Sequence, residues 1–165
     1  MDLFDATVPP LKRLAKAVPR LIACLDDPAP LSVRLAPDGF TGGEHFCCAL
    51  GFVARCVLPL VGRDIPDLPF DSDPSLIVAL AEDMSFLLDT LTPPDFDDAA
   101  HREITHFAGE ATLTQNGQEY AMLFALPNAQ FHLALGYATL RRAGAAVGKA
   151  DLDGYHIYTA TQTHH

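Results

Sequence analysis

The amino-acid sequence predicts an all-α protein, a four-helix bundle with a small β-hairpin before its last helices. Two features carry this prediction. Four segments repeat apolar residues at the three- and four-residue spacing of a helix with one buried face. Long irregular connections, residues 26–40 and 59–70, separate the first three of these segments. Helices joined in this way bury their apolar faces against one another, as in a bundle.

The first helix is predicted over Pro10 to Leu25, because apolar residues recur there at helical spacing. Pro19 lies inside this segment and removes one backbone donor, so we expect a kink or a short break near Ala15 to Val18. The sequence Asp26-Asp27-Pro28 ends the helix.

The second and third helices begin at recognisable caps. Thr41, with Glu44 three residues later, predicts a capping box at the start of helix two, which runs to about Leu58. That helix is apolar nearly all round and is expected to lie deep in the fold. Asp73 as N-cap and Pro74 at the first helical position begin helix three, which Thr92-Pro93-Pro94 ends.

The C-terminal half combines short elements with one long helix. The segment Glu103 to Leu113 predicts a two-stranded hairpin around Ala108-Gly109. A short helix over Gln118 to Leu126 leads to helix four, which begins at Pro127 and ends at Gly144 as a C-terminal cap. The stretch from Lys149 onward lacks an apolar stripe and is expected to be extended.

These elements predict one domain over residues 1–154 and a tail over residues 155–165. His164 and His165 lie in that tail and receive no role. The other histidines outside the long helices are expected to be solvated at the surface: His101, His106 and His156.

The charge and cysteine content narrow the possible partners and location. The 165 residues carry 11 Lys and Arg against 21 Asp and Glu, a net charge of -10, which argues against binding to nucleic acids or anionic membranes. The N-terminus has no apolar signal region and no run long enough to span a membrane, so a cytoplasmic location is expected. The four cysteines lie within predicted helices and are interpreted as reduced thiols.

The candidate functional residues are Asn128 and His132, four residues apart on helix four. Side chains at this spacing lie one turn apart on the same face and can meet one ion, or can be two hydrogen-bonded polar groups. His45 is the conspicuous polar side chain of the apolar helix two, and Cys48 lies three residues later on the same face of that helix. The residues alone leave open whether these groups hold a metal or satisfy one another by hydrogen bonds.

Two longer segments carry a resemblance to a known family. Residues 34–40 read RLAPDGF, and residues 124–149 read FALPNAQFHLALGYATLRRAGAAVGK. With these segments the chain resembles the DinB-like (YfiT-like) superfamily of four-helix bundles, within a branch known as a domain of unknown function. The resemblance implies an up-down-down-up bundle, often dimeric, that holds a divalent ion by one histidine of helix two and two histidines of helix four.

In that pattern His132 takes the second helix-four position, Asn128 replaces the first histidine, and His45 is the candidate from helix two. An amide oxygen is a weak ligand beside imidazole, so the affinity for zinc or nickel is expected to fall unless Cys48, a carboxylate or water completes the site.

The leading hypothesis is a degenerate site between helices that binds a divalent metal or a small molecule. One alternative is a metal-dependent transferase or hydrolase acting on a small thiol-type substrate, and another is a non-catalytic oligomeric binding module. The nearly uniform apolarity of helix two also predicts a homodimer.

Overall fold

The computed structural model describes residues 2–158 and consists mainly of helices. The long helices are α1 (Leu3–Ala23), α2 (Gly42–Leu60), α3 (Pro74–Thr90) and α4 (Leu126–Arg142), and a short helix α5 (Lys149–Asp153) follows. Strands β1 (Glu103–Ala108) and β2 (Ala111–Asn116) form an antiparallel hairpin. One helical turn (Gly117–Glu119) and a π-helical turn (Tyr120–Ala125) lead directly into α4.

Helix α2 lies at the centre of the bundle, with 14 of its 19 residues buried. It packs chiefly on α4, while α1 packs chiefly on α3. The closest approach of α2 and α4 depends on Gly136, since a Cβ there would lie 2.5 Å from Cε1 of Phe46. By length and composition alone α2 could cross a membrane, but most of it is buried inside the fold, as in the core helix of a globular protein.

This burial also bears on the predicted homodimer. The homodimer is predicted because the apolar surface of α2 needs more cover than one face of a bundle provides. Neighbouring elements of the same chain supply that cover, with Phe46, Leu50, Val53 and Val57 fully buried. The homodimer remains a prediction, but the apolarity of α2 no longer requires it.

The predicted start of helix one was wrong by seven residues. Helix α1 begins at Leu3, where Asp2 accepts a hydrogen bond from the backbone N–H of Asp5. The helix contains Pro9 and Pro10 and continues without a break through Pro19. Each proline removes one donor, but the buried apolar face of the helix continues on both sides and outweighs that loss.

The predicted caps and the predicted hairpin are confirmed. Thr41 and Glu44 form the capping box of α2, with Thr41 N–H donating to Glu44 Oε2 at 2.7 Å. Asp73 caps α3 through the backbone N–H of Ser75. Gly144 follows α4 with a φ of 85°, a left-handed conformation that glycine adopts without strain.

The expectation of an extended chain from Lys149 onward was wrong for residues 149–153, which form α5. This helix is held by tertiary contacts rather than by an apolar stripe. Arg20 donates to the carbonyl oxygens of Asp151 and Leu152, each at 3.2 Å, and Arg13 donates to that of Asp153. His164 and His165 lie outside the described residues, and the domain boundary at residue 154 stays a prediction.

Candidate functional site

The structure brings His45 and His132 together. His45 lies in the first turn of α2, immediately after the capping box, and is 6% exposed. His132 lies on the facing side of α4 and is half-buried. Their Nδ1 atoms are 3.0 Å apart, which is a hydrogen-bond distance. The pairing depends on the close packing of α2 against α4.

The two imidazoles point directly at each other. Their centroids are 5.3 Å apart, 2.3 Å more than the 3.0 Å between the Nδ1 atoms. That difference is about twice the distance from an imidazole centre to one of its nitrogens, so both Nδ1 atoms lie near the line joining the centroids. One nitrogen therefore donates to the lone pair of the other along a nearly straight path.

Burial keeps both imidazoles uncharged at neutral pH. Burial and, to a smaller extent, the neighbouring His45 together lower the pKa of His132 to about 4. Burial also lowers the pKa of His45, against a smaller opposite effect of the Glu44 carboxylate. A neutral pair shares one proton between its Nδ1 atoms, which matches the observed contact.

Aromatic rings surround the pair. The rings of Phe40 and Phe52 lie parallel to that of His132, at centroid distances of 6.1 and 5.9 Å. Phe131 meets His132 edge-on at 5.2 Å, and Phe40 meets His45 edge-on at 5.6 Å. Such contacts fix the orientation of the imidazoles beyond their mutual hydrogen bond.

The connection before α2 is itself fixed in place. Arg34 and Thr41 form an antiparallel bridge, and the Arg34 guanidinium donates to the carbonyl of Gly39 and to Glu44 Oε2, the latter at 3.1 Å. Arg34 therefore helps to hold this connection, with Glu44 as its ionic partner.

A pocket of about 420 Å³ opens beside the pair, between this connection and α4. Its lining is mostly apolar and includes both imidazoles; the residues are Leu35, Ala36, Asp38, Gly39, Phe40, His45, Phe131, His132 and Leu135. Phe40 and Phe131 are 42% and 55% exposed and stand at its mouth. A pocket of this volume accommodates a small organic molecule.

Asn128 is not brought into the imidazole pair. Its side-chain nitrogen donates to the carbonyl oxygen of Phe124, 2.7 Å away and four residues earlier. That carbonyl belongs to the π-helical turn, and Pro127 supplies no N–H for a carbonyl there. The amide thus satisfies its own helix, as asparagine side chains commonly do near irregular turns.

Cys48 is partly buried on α2, and burial raises the pKa of its thiol to about 11. The thiolate form that binds metals is therefore disfavoured. Among residues 2–158 there is no group of three or more His, Cys, Asp or Glu side chains that could hold an ion.

The geometry of the pair can be compared with that of the metal site that the family resemblance implies. Two zinc ligands each lie about 2.0–2.1 Å from the metal, so an ion shared by nitrogens 3.0 Å apart would sit beside the line that joins them. The lone pairs of His45 and His132 point along that line instead. In this arrangement His45, Asn128 and His132 do not fit a three-ligand metal site.

His106 was expected to be solvated at the surface, and this was wrong. It packs against Tyr120 and Phe124, with ring centroids 4.8 and 4.2 Å away. Its Nε2 lies 2.8 Å from Gln115 Oε1, and its Nδ1 is buried without a partner. The alternation of strand β1 could have revealed this, since His106 shares a face with the buried Ile104.

The fold is that of a DinB-like four-helix-bundle protein. The chain is similar to the crystal structure of a DinB family member protein from Shewanella denitrificans, with a TM-score of 0.83 and 25% sequence identity. The match covers 96% of this chain and 95% of that chain.

Residues 3–153 match the family model described as a domain of unknown function, DUF1993. The chain belongs to this family, and the predicted fold class and superfamily are confirmed. No curated protein matches the chain.

Proposed function

We propose that the protein binds a small, largely apolar organic molecule in the pocket beside His45 and His132. The observation that carries this proposal is the direct hydrogen bond between the imidazoles, which leaves their outer nitrogens available to a ligand. The aromatic rings supply apolar contact area, and the imidazoles supply a polar anchor. Ligand sites of proteins commonly combine these two components.

The charges near the pocket restrict the ligand. The imidazoles are neutral, and Asp38 contributes a carboxylate to the lining. The nearby cation of Arg34 is engaged by Glu44 and by the Gly39 carbonyl, and that of Arg142 is engaged by the Leu35 carbonyl. An anionic ligand would therefore lose its hydration without gaining a free positive partner.

The proposal is tested with an uncharged fluorescent probe, N-phenyl-1-naphthylamine. Phe131→Ala should weaken its binding by about five- to thirtyfold, because a half-buried aromatic contact contributes about 1–2 kcal/mol. Phe86→Ala is the matched control, since Phe86 is 72% exposed on α3 and lies outside the pocket lining. Equal affinities of the two variants, or no binding to the wild type, would overturn the proposal.

The zinc or nickel site remains a prediction, and with it the metal-dependent transferase or hydrolase. Either requires the imidazoles to turn so that their lone pairs converge. Metal analysis of protein without a histidine tag, beside His45→Ala and His132→Ala, separates the hypotheses. Stoichiometric metal that both variants lose would replace the present proposal with a metal site.

A further inference from the structure

The hydrogen bond between the imidazoles constrains their outer nitrogens. A neutral imidazole carries one N–H and one lone pair. In the pair, one ring donates from Nδ1, so its Nε2 is an acceptor. The other ring accepts at Nδ1, so its Nε2–H is a donor. The two Nε2 atoms therefore always have opposite polarity while the pair is intact.

Both Nε2 atoms are open to the pocket or to solvent. Neither has a hydrogen-bond partner among residues 2–158, where the pair is bonded only through Nδ1. Within the same residues, Nδ1 of His106 is the one buried side-chain nitrogen or oxygen without a partner. The Nε2 atoms of His45 and His132 are therefore not buried, and water or a ligand reaches them.

The two Nε2 atoms can exchange their donor and acceptor roles. When the shared proton passes from one Nδ1 to the other, the ring that loses it gains a proton from water at Nε2. The other ring releases its Nε2 proton to water. The exchange is balanced and leaves both rings neutral, so either ring can present a donor or an acceptor.

We propose that the pocket takes uncharged ligands with one hydrogen-bonding group, and that the imidazole pair switches its tautomers to match a donor or an acceptor. This inference rests on the proposed function and names its ligand class: small aryl alcohols, phenols, ketones and amides. Anionic molecules of the same shape are excluded, because neither tautomeric state of the pair carries a positive charge and Asp38 belongs to the pocket lining.

The test uses the wild-type protein with imidazoles labelled with nitrogen-15, observed by NMR at neutral pH. Acetophenone offers only an acceptor, and phenol donates strongly. Acetophenone should place the proton on Nε2 of the contacted ring and on Nδ1 of the other. Phenol should reverse both rings together. His101 and His156, both exposed, are internal controls that should not change with either probe.

Benzoate should bind at least tenfold more weakly than the uncharged probes. The inference fails if both probes give the same tautomers, if one ring responds alone, or if benzoate binds as tightly as the uncharged probes. Ethylbenzene has no hydrogen-bonding group, so it distinguishes failure of the tautomer switch from failure of the proposed ligand pocket. Binding of ethylbenzene without any tautomer response leaves the pocket function standing, whereas no binding of any probe removes both.

Discussion

The pair His45 and His132 and the hairpin residue His106 are two solutions to packing imidazole against aromatic rings. In the pair, the inner nitrogens satisfy each other and the outer nitrogens stay open. At His106 the outer nitrogen is bonded to Gln115, and the inner nitrogen is buried without a partner. An open nitrogen, rather than the degree of burial, therefore distinguishes an imidazole that can receive a ligand from one that makes only structural contacts.

The largest expected effect comes from separating the two helices that hold the pair. Gly136→Val should lower the free energy of unfolding by about 2–4 kcal/mol, because the new side chain overlaps the ring of Phe46. Ala134→Val, an exposed position on the same helix, is the control and should change it by less than about 0.5 kcal/mol. Urea unfolding of both variants measures this, and equal stabilities would contradict the described approach of α2 and α4.

The second largest effect is expected from acid, which should lower the stability of the fold by protonating His132. The pKa of His132 is about 4 in the fold, below its value of about 6.5 in an unfolded chain. The unfolded state therefore binds the proton first, so this stabilisation is lost as pH falls from about 6.5 through about 4, by at most about 3 kcal/mol.

Burial is the main cause of the lowered pKa of His132, and the neighbouring His45 adds to it. NMR titration of His132 beside urea unfolding at several pH values measures it. A His132 pKa near 6.5 would show that the pair is more hydrated than described.

Asn128, which lies between His106 and His132 in the sequence, is expected to affect the free energy of unfolding less. Asn128→Ala should cost about 1 kcal/mol of unfolding free energy, because the Phe124 carbonyl loses its donor. Binding of the uncharged probe should change little, since Asn128 is not part of the pocket lining. Gln130→Ala, exposed on the same helix, provides the baseline. Strong loss of binding in Asn128→Ala would instead return the amide to the site.

The smallest effect is expected at His106. His106→Leu removes a buried nitrogen that has no partner, which should stabilise the fold. It also removes one hydrogen bond to Gln115, which should destabilise the fold. The net change should be below about 1 kcal/mol and on the stabilising side, as read from thermal and urea unfolding. Marked destabilisation would indicate that a buried water or another group satisfies Nδ1.

The sequence predicted those features that depend on local chemistry. The caps at Thr41, Asp73 and Gly144 use side chains or backbone angles within a few residues, so the sequence contains the whole interaction. His45 and His132 were also chosen correctly as neighbours, from helical spacing and from the family resemblance.

The features that the sequence did not predict depend on distant parts of the chain. Helix α5 is held by Arg13 and Arg20 of α1, more than 130 residues earlier. The aromatic mouth of the pocket joins Phe40 to Phe131 across two elements, and no spacing pattern relates them. Helix propensity and periodicity do not contain such contacts, because tertiary packing decides them.

The π-helical turn over Tyr120–Ala125 sets the rotation of the segment before it relative to α4 about their common helix axis. A π turn contains about one residue more than an α turn, and one residue corresponds to a rotation of about 100°. Deleting one residue there, such as the exposed Met122, would rotate everything before the turn relative to α4. Phe124 and His132 could then no longer face His106 and His45 at the same time. One extra residue therefore aligns the hairpin with the pocket.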